Sequence, residues 1–270
     1  MELQETFDDL ATAPAAETHA APSQAPRARI QLWDLPIRIF HWSLLAAVST
    51  AIVTGKVGGD WIVWHGKAGQ AIVGLLAFRL TWGFVGSTHA RFVNFVPSPA
   101  KVLAYLQGRW QGVGHNPLGA LSVLALLGLL GIQAVTGVFS NDDIAFTGPL
   151  AGLVDETLSH KLTTWHHLLV NGLFVLLGLH LAAILYHVVF KKDNLVKPMV
   201  TGWKEVAPKT KPPRQGGPVA LLVSVSVAVS AVYLVSGAWI KSPAPAVQAA
   251  PAAGSSTTTG TTTTPAAPAW

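Results

Sequence analysis

Cysteine is absent from this chain of 270 residues, and its absence excludes several redox centres at once. Iron–sulfur clusters need thiolate ligands, covalently attached c-type haem needs a C-x-x-C-H run, and disulfides need paired cysteines. Any redox cofactor that this chain binds must therefore be held by histidine or by another ligand that is not a thiol.

Charged residues are also scarce: Asp, Glu, Lys and Arg make up 11% of the chain, hydrophobic residues make up 50%, and the mean hydropathy is +0.43. Soluble proteins carry about 25% charged residues. Five apolar stretches are each near the ~20 residues that a spanning helix needs, namely 36–54, 64–85, 117–139, 163–190 and 218–240. The sequence predicts an all-α, membrane-spanning four-helix bundle followed by a fifth, C-terminal transmembrane helix.

Composition divides the chain into five parts. Ala, Pro, Thr and Ser dominate both ends, so we predict disordered tails over 1–30 and 241–270. Between them lie the transmembrane bundle (31–204), a cytoplasmic linker (205–217) and the extra transmembrane helix (218–240). The N-terminus lacks a basic region followed by an apolar core, so the first spanning helix is expected to act as an uncleaved targeting segment.

Basic residues alternate between the predicted loops, and this alternation sets the orientation. Lys and Arg mark the cytoplasmic side of membrane proteins. They are concentrated before the first helix, in the second loop and after the fourth helix, whereas the third loop is acidic, with Asp142, Asp143, Asp155 and Glu156. We therefore predict a cytoplasmic N-terminus and a periplasmic C-terminal tail in the bacterial inner membrane. The net charge of +5 reflects this topology, and no nucleic-acid partner is expected.

Four histidines in the apolar stretches form two pairs by depth. His166 and His180 are fourteen residues apart on the fourth helix, so they share a face and lie ~21 Å apart along its axis. His65 begins the second helix at its outer end, and His41 lies near the inner end of the first. The predicted pairs are His65 with His166 on the outer side and His41 with His180 on the inner side.

Imidazole pairs of this kind suit haem iron. Two axial imidazoles saturate the metal, so the cofactor carries electrons rather than activating a substrate. We predict two non-covalent haem b groups with bis-histidine ligation, and no catalytic residue. Taken singly, a membrane histidine is more often a hydrogen-bond partner between helices, and His160 or His167 is the alternative to His166.

Basic side chains near the same depths are predicted to bind the haem propionates. Arg79 lies fourteen residues after His65, on the same helix face, and a buried arginine needs an anion. Arg38 and Lys67 are further propionate candidates, and snorkelling to the interface is the alternative for Arg79. The helix glycines fit either room for a flat macrocycle or close helix packing: Gly69, Gly74, Gly83, Gly119, Gly128, Gly131, Gly137, Gly172 and Gly178.

Several stretches around these residues resemble a known family. They include WDLPIRIFHW (33–42), WHGKAGQAIVGLLAFRLTWGFVG (64–86) and HHLLVNGLFVLLGLH (166–180). Over 31–204 the chain resembles the bacterial cytochrome b561 and nickel–iron hydrogenase b-type cytochrome family. That resemblance implies a four-helix di-haem cytochrome b whose axial histidines fall on the same four positions. The doubled histidine at 166–167, the fifth helix and the tail depart from the family pattern.

The expected function is transmembrane electron transfer in a respiratory chain, between the quinone pool and an outer-side redox partner such as a c-type cytochrome or a hydrogenase-like enzyme. The acidic third loop fits either a docking site for a basic partner or a solvated loop. A stand-alone quinone or superoxide oxidoreductase is the main alternative. A non-redox transporter or a simple membrane anchor is disfavoured, because the helices that carry the four histidines have no Asp or Glu among them.

Overall fold

The computed structural model describes residues 28–208 and 210–240, so the predicted tails lie outside the described residues except for 28–30. Over this part of the chain the helices are, in order, α1 (Leu35–Val57), α2 (Ile62–Val85), α3 (Phe92–Phe95), α4 (Pro99–Leu106), α5 (Pro117–Val138), α6 (Glu156–Val189), α7 (Val196–Thr201) and α8 (Pro218–Val235). Of these, α1, α2, α5, α6 and α8 are long and apolar enough to cross a membrane. The predicted all-α fold with a fifth spanning helix is confirmed.

Polar caps set where the spanning helices begin. The Asp34 carboxylate accepts the Ile37 amide at 3.1 Å, and the Asn116 side chain accepts the Gly119 amide at 2.7 Å. These bonds satisfy amides that have no partner within the helix. Asp155 caps α6 in the same way, which starts that helix seven residues before its apolar stretch. At 34 residues, α6 is ~51 Å long and extends beyond the ~30 Å hydrocarbon core of a bilayer.

Helix α2 lies at the centre of the bundle and packs against α1, α5 and α8, while α5 packs against α6. One apolar core joins all four helices of the predicted bundle and consists of Val48, Ile72, Leu76, Leu130 and Leu173. Helices α1, α2, α5 and α6 therefore enclose a common interior from which side chains of different helices can converge.

Helix α8 lies along α2, and Gly74 allows the close approach. A Cβ atom at Gly74 would lie 2.5 Å from Val232 Cγ2, so this glycine serves helix packing rather than room for a macrocycle. The linker before α8 is docked as well, since the Thr88 amide donates to the Arg214 carbonyl at 3.0 Å and the Arg214 amide donates to Thr88 Oγ1 at 2.9 Å.

A short two-stranded sheet, which the sequence did not predict, joins the two ends of the bundle segment. Strand β1 (Ala28–Gln31) pairs antiparallel with β2 (Trp203–Val206). Strand β1 thus includes residues of the predicted N-terminal tail, and β2 includes residues of the predicted linker. The pairing also brings the start of α1 and the end of α6 to the same end of the molecule.

Two ends of the bundle are distinguished by their charge. The basic end carries the start of α1, the α2–α5 connection and the segment after α6, with Arg91, Lys101, Arg109, Lys191 and Lys192 among its side chains. The acidic end carries the α1–α2 turn and the α5–α6 loop, with Asp142, Asp143, Asp155 and Glu156. The charge asymmetry expected from the sequence thus separates the two ends of one bundle.

Candidate functional site

His65 of α2 and His166 of α6 meet in the interior near the acidic end. Their ring centroids are 5.9 Å apart and their planes are nearly perpendicular, at 86°. Both rings line a cavity of about 170 Å³ between α1, α2, α5 and α6. Most of the remaining lining is apolar or small: Val48, Ala51, Ile52, Gly55, Ile62, Gly69, Ile72, Leu130, Ala134, Val170, Leu173 and Phe174.

Hydrogen bonds to helix carbonyls fix the tautomers of these two histidines. The Nδ1–H of His65 donates to the Ala51 carbonyl at 2.8 Å, and the Nδ1–H of His166 donates to the Gln133 carbonyl at 2.9 Å. A carbonyl oxygen only accepts, so Nδ1 carries the proton in each ring and Nε2 keeps its lone pair. Each imidazole therefore offers Nε2 as a metal ligand.

Two glycines make room for the rings. A Cβ atom at Gly55 would lie 2.8 Å from His65 Nδ1, and one at Gly137 would lie 2.8 Å from His166 Cε1. Either methyl group would displace its imidazole. Gly55 was not among the glycines singled out from the sequence, because its role depends on a contact between α1 and α2 that the helix pattern does not reveal.

The arrangement fits a haem iron held by two imidazoles. His65 and His166, whose ring centroids are 5.9 Å apart, are the residues that would hold the iron. The two Nδ1–H groups are bound by carbonyls on two further helices, α1 and α5, which is the supporting hydrogen bonding that histidine ligands usually have. The acidic-end pair predicted from the sequence is thus brought together.

The lysine that lines this cavity is Lys56 rather than the predicted Lys67. Lys56, in the last turn of α1, is the basic residue in the cavity lining, and its Nζ lies 5.7 Å from the Phe174 ring. The predicted Lys67 instead places its Nζ 4.5 Å over the Trp64 ring. Sequence inspection overlooked Lys56 because it lies in the short first loop of the predicted topology.

The neighbouring histidines occupy other environments. His167 is exposed, and its ring lies 6.2 Å from that of His166 at the cavity edge. His160 Nε2 lies 3.2 Å from Asp143 Oδ2 and 3.6 Å from Glu156 Oε1, which makes it part of the charged surface. Of the three, His166 is the one whose ring faces His65.

The basic-end pair is less tightly supported. His41 of α1 and His180 of α6 lie close enough to interact electrostatically. His41 Nδ1 is buried and has no hydrogen-bond partner among the residues that the structure describes. The structure therefore brings the predicted inner histidines into one region of the bundle without the carbonyl contacts of the acidic end.

The two predicted arginines lie at the basic end. Arg79 is 2% exposed, its Nη1 donates to the Ala90 carbonyl at 3.2 Å, and its guanidinium lies 5.0 Å from the Phe92 ring. It is thus covered by the α2–α5 connection. Arg38 donates through Nη2 to the Val200 carbonyl, and its Nε is buried without a partner within the described part of the chain.

A polar and aromatic cluster beside these arginines was missed by the sequence analysis. The His115 ring lies 4.6 Å from Trp33 and 5.2 Å from Phe95. Burial, together with the positive charge of Arg79, lowers the pKa of His115 to about 3, so this imidazole is neutral near pH 7. The only sequence signal is its position just before the Asn116 cap, which by itself indicates a helix start.

Comparison with known proteins identifies the family. Residues 32–202 match the family described as prokaryotic cytochrome b561. A "probable Ni/Fe-hydrogenase B-type cytochrome subunit" of Azotobacter vinelandii is 24% identical over 216 residues, covering 65% of this chain and 88% of that protein.

Two further relatives carry the same kind of name. The corresponding hydrogenase 1 subunit of Escherichia coli K12 is 23% identical over 214 residues, covering 64% of this chain and 89% of the relative. The Ni/Fe-hydrogenase B-type cytochrome subunit of Cupriavidus necator is 23% identical over 238 residues, covering 73% of this chain and 96% of the relative. No solved structure gives a significant match.

The matched segment ends at residue 202 and so contains α1, α2, α5 and α6 but not α8. It also contains all four histidines of the two pairs. This chain belongs to the prokaryotic cytochrome b561 family. It is a b-type cytochrome, with haem b as its cofactor and transmembrane electron transfer as its function.

Proposed function

From this family membership, we propose that the chain binds two haem b groups, one near each end of the bundle, and conducts electrons between them. The observation that carries the proposal is the His65–His166 pair, with ring centroids 5.9 Å apart and both Nδ1 protons bound to helix carbonyls. A bis-histidine haem takes up and releases one electron without binding substrate at the iron.

At the acidic end, His65 and His166 would hold the iron through Nε2, and Lys56 at the cavity edge would bind a propionate. At the basic end, His41 and His180 would be the ligands. Arg79 uses one donor for the Ala90 carbonyl, and an arginine has five, so it has others for a propionate. Arg38 is a further propionate partner in this proposal, whereas the predicted Lys67 lies over the Trp64 ring and is not assigned a propionate.

The proposed orientation follows from the charges. The basic end faces the cytoplasm by the positive-inside rule, so the N-terminus is cytoplasmic and the tail after α8 is periplasmic. The acidic-end haem then lies near the outer face of the bacterial inner membrane, and the basic-end haem near the inner face.

The proposed outer partner is a redox enzyme of the hydrogenase type, because the relatives are named as nickel–iron hydrogenase subunits; a c-type cytochrome is the alternative. The α5–α6 loop offers a contact surface at this end. Its tip residue Ile144 is 94% exposed, and Phe146 lies against His65 with centroids 6.3 Å apart. This loop therefore connects the exposed surface with an axial ligand.

The quinone pool is the proposed partner at the basic end. Trp33 and Phe95 provide aromatic surfaces beside His115, whose buried Nδ1 has no partner among the described residues. A neutral imidazole can both donate and accept a hydrogen bond, which suits a quinone carbonyl and a quinol hydroxyl alike. Arg79 contributes positive charge to the same cluster.

Haem content and spectrum test the proposal. The purified full-length protein is expected to contain about two haems per chain, with a reversible b-type spectrum, and His65→Ala or His41→Ala should each leave about one. His160→Ala is the matched control, since its imidazole contacts Asp143 and Glu156, and it should keep both haems. Loss of both haems, or of neither, in the two ligand variants would contradict the assignment.

A further inference from the structure

Helix α5 holds the His166 imidazole from one side through Gln133, Thr136 and Gly137. These residues lie within about one helical turn of each other and therefore face the same part of α6. Gly137 leaves the space in which the ring lies, while Gln133 and Thr136 supply polar contacts. Helix α5 contributes no predicted haem ligand, so these contacts act on the cofactor only through His166.

Gln133 makes a reciprocal connection to His166. Its side-chain Nε2 donates to the His166 backbone carbonyl at 2.9 Å, and its own backbone carbonyl accepts the His166 Nδ1–H at 2.9 Å. The side chain is almost fully buried, at 9% exposed. These two bonds fix both the position of the α6 backbone at His166 and the orientation of its ring.

Thr136 provides a second acceptor for the same proton. Its hydroxyl hydrogen is directed at the Ile132 and Gln133 carbonyls, each 2.9 Å away, which leaves an oxygen lone pair available 3.2 Å from His166 Nδ1. The Nδ1–H is therefore shared between the Gln133 carbonyl and the Thr136 hydroxyl. His41, in the basic-end pair, has no such acceptor among the described residues.

We infer that Thr136 and Gln133 are positioning residues that fix the tautomer of His166 and lower the reduction potential of the acidic-end haem. Hydrogen bonding at Nδ1–H raises the basicity of Nε2 and its electron donation to iron. Stronger donation favours the oxidised metal, and hydrogen bonding around axial ligands is a recognised determinant of haem potential. The inference rests on the proposed function, because it needs a haem on His166.

Thr136→Val tests the inference, because valine keeps the shape of threonine and removes the hydroxyl. Potentiometric titration of the purified holoprotein should resolve two components, and the His65→Ala protein, which lacks the acidic-end haem, assigns them. In Thr136→Val the acidic-end midpoint should rise and the basic-end midpoint should stay unchanged. Thr136→Ser, which restores the hydroxyl, should return the wild-type midpoint.

A matched control is Thr50→Val, since the Thr50 hydroxyl donates to the Ala46 carbonyl at 2.9 Å on α1 and contacts no histidine. It should move neither midpoint. The inference is overturned if Thr136→Val keeps both haems with unchanged midpoints, or if both midpoints move together. A wild-type protein without haem would instead refute the proposed function itself.

Gln133→Leu keeps the inference testable if Thr136→Val fails to assemble. This variant leaves the Gln133 backbone carbonyl in place but removes the bond to the His166 backbone. The low-spin electron paramagnetic resonance signal of the acidic-end haem should broaden or shift, because ring orientation is less restricted, while the basic-end signal stays the same. An unchanged acidic-end signal in a protein that retains both haems would count against a positioning role for Gln133.

Discussion

Each of the two histidine pairs takes one member from helix α6, yet the surroundings of the two pairs differ. At the acidic end, both rings donate to backbone carbonyls and line a cavity of about 170 Å³. At the basic end, His41 Nδ1 is buried without a partner among the described residues, and charged and aromatic side chains of the α2–α5 connection lie nearby. The predicted histidine ligands at the two ends thus differ in their hydrogen bonding at Nδ1.

This difference follows from what covers each end. The acidic-end rings face α1 and α5, whose backbones provide acceptors at fixed positions. At the basic end, the backbone carbonyls of Ala90 and Val200 accept hydrogen bonds from Arg79 and Arg38 rather than from a histidine. The acidic-end rings are therefore held by backbone groups of two helices, whereas the described residues give His41 Nδ1 no such acceptor.

Filling the space beside the His166 ring should have the largest effect on the acidic-end site. In Gly137→Val the new side chain would occupy the position of the His166 ring, since even a Cβ atom lies 2.8 Å from Cε1. We expect loss of the acidic-end haem, from about two haems per chain to about one. Pyridine haemochrome assay against protein concentration measures the ratio.

Gly128→Ala on the same helix is the matched control, because a Cβ atom there meets nothing within 4 Å, and it should keep both haems. If Gly137→Val also kept both haems with an unchanged spectrum, His166 would not be the ligand at this end. Close helix contacts would then not define the acidic-end site.

His115 should make the basic end sensitive to acid. The folded-state pKa of His115 is lowered to about 3, first by burial and then by the nearby charges of Arg79, His89 and His180. In the unfolded chain this group takes up a proton below its ordinary pKa of 6.5, so stability falls as the pH drops from 6.5 towards 3.

His115→Gln should remove this dependence. At pH 5 the wild-type protein should have lost about 2 kcal/mol of stability from this residue relative to pH 7, and the variant should lose correspondingly less. Thermal unfolding of the holoprotein at the two pH values, followed by circular dichroism, measures the difference. Equal losses in both proteins would show that His115 is not held neutral by its surroundings.

How far the sequence determines this arrangement differs between the two ends. The fourteen-residue spacing of His166 and His180 fixes two ligand depths, because helix geometry is regular, and Asp34 and Asn116 mark helix starts by local chemistry. Neither the 5.9 Å approach of His65 to His166 nor the role of Gly55 is visible in one helix, because both depend on how α1, α2 and α6 pack.

The contacts of the basic residues also depend on how the helices pack and so cannot be read from one helix. Lys67 and Arg79 were chosen from the sequence by their spacing from His65, which places a residue on a helix face but does not say what lies opposite. The structure turns Lys67 towards Trp64 and covers Arg79 with the α2–α5 connection. The small sheet formed by β1 and β2 could not be predicted for a related reason. Its strands are short, and most of the bundle lies between them in the sequence.

The smallest expected effect distinguishes the two lysines at the acidic end. Lys56 lines the cavity and Lys67 lies over Trp64, so Lys56→Gln should weaken haem retention there and Lys67→Gln should not. A solvent-accessible ion pair contributes about 0.5–1 kcal/mol, so Lys56→Gln should speed transfer of the acidic-end haem to apomyoglobin about two- to five-fold. High salt should reduce the difference by screening the pair. If Lys67→Gln speeds the transfer instead, the propionates face Lys67 rather than Lys56, as the spacing of Lys67 from His65 predicts.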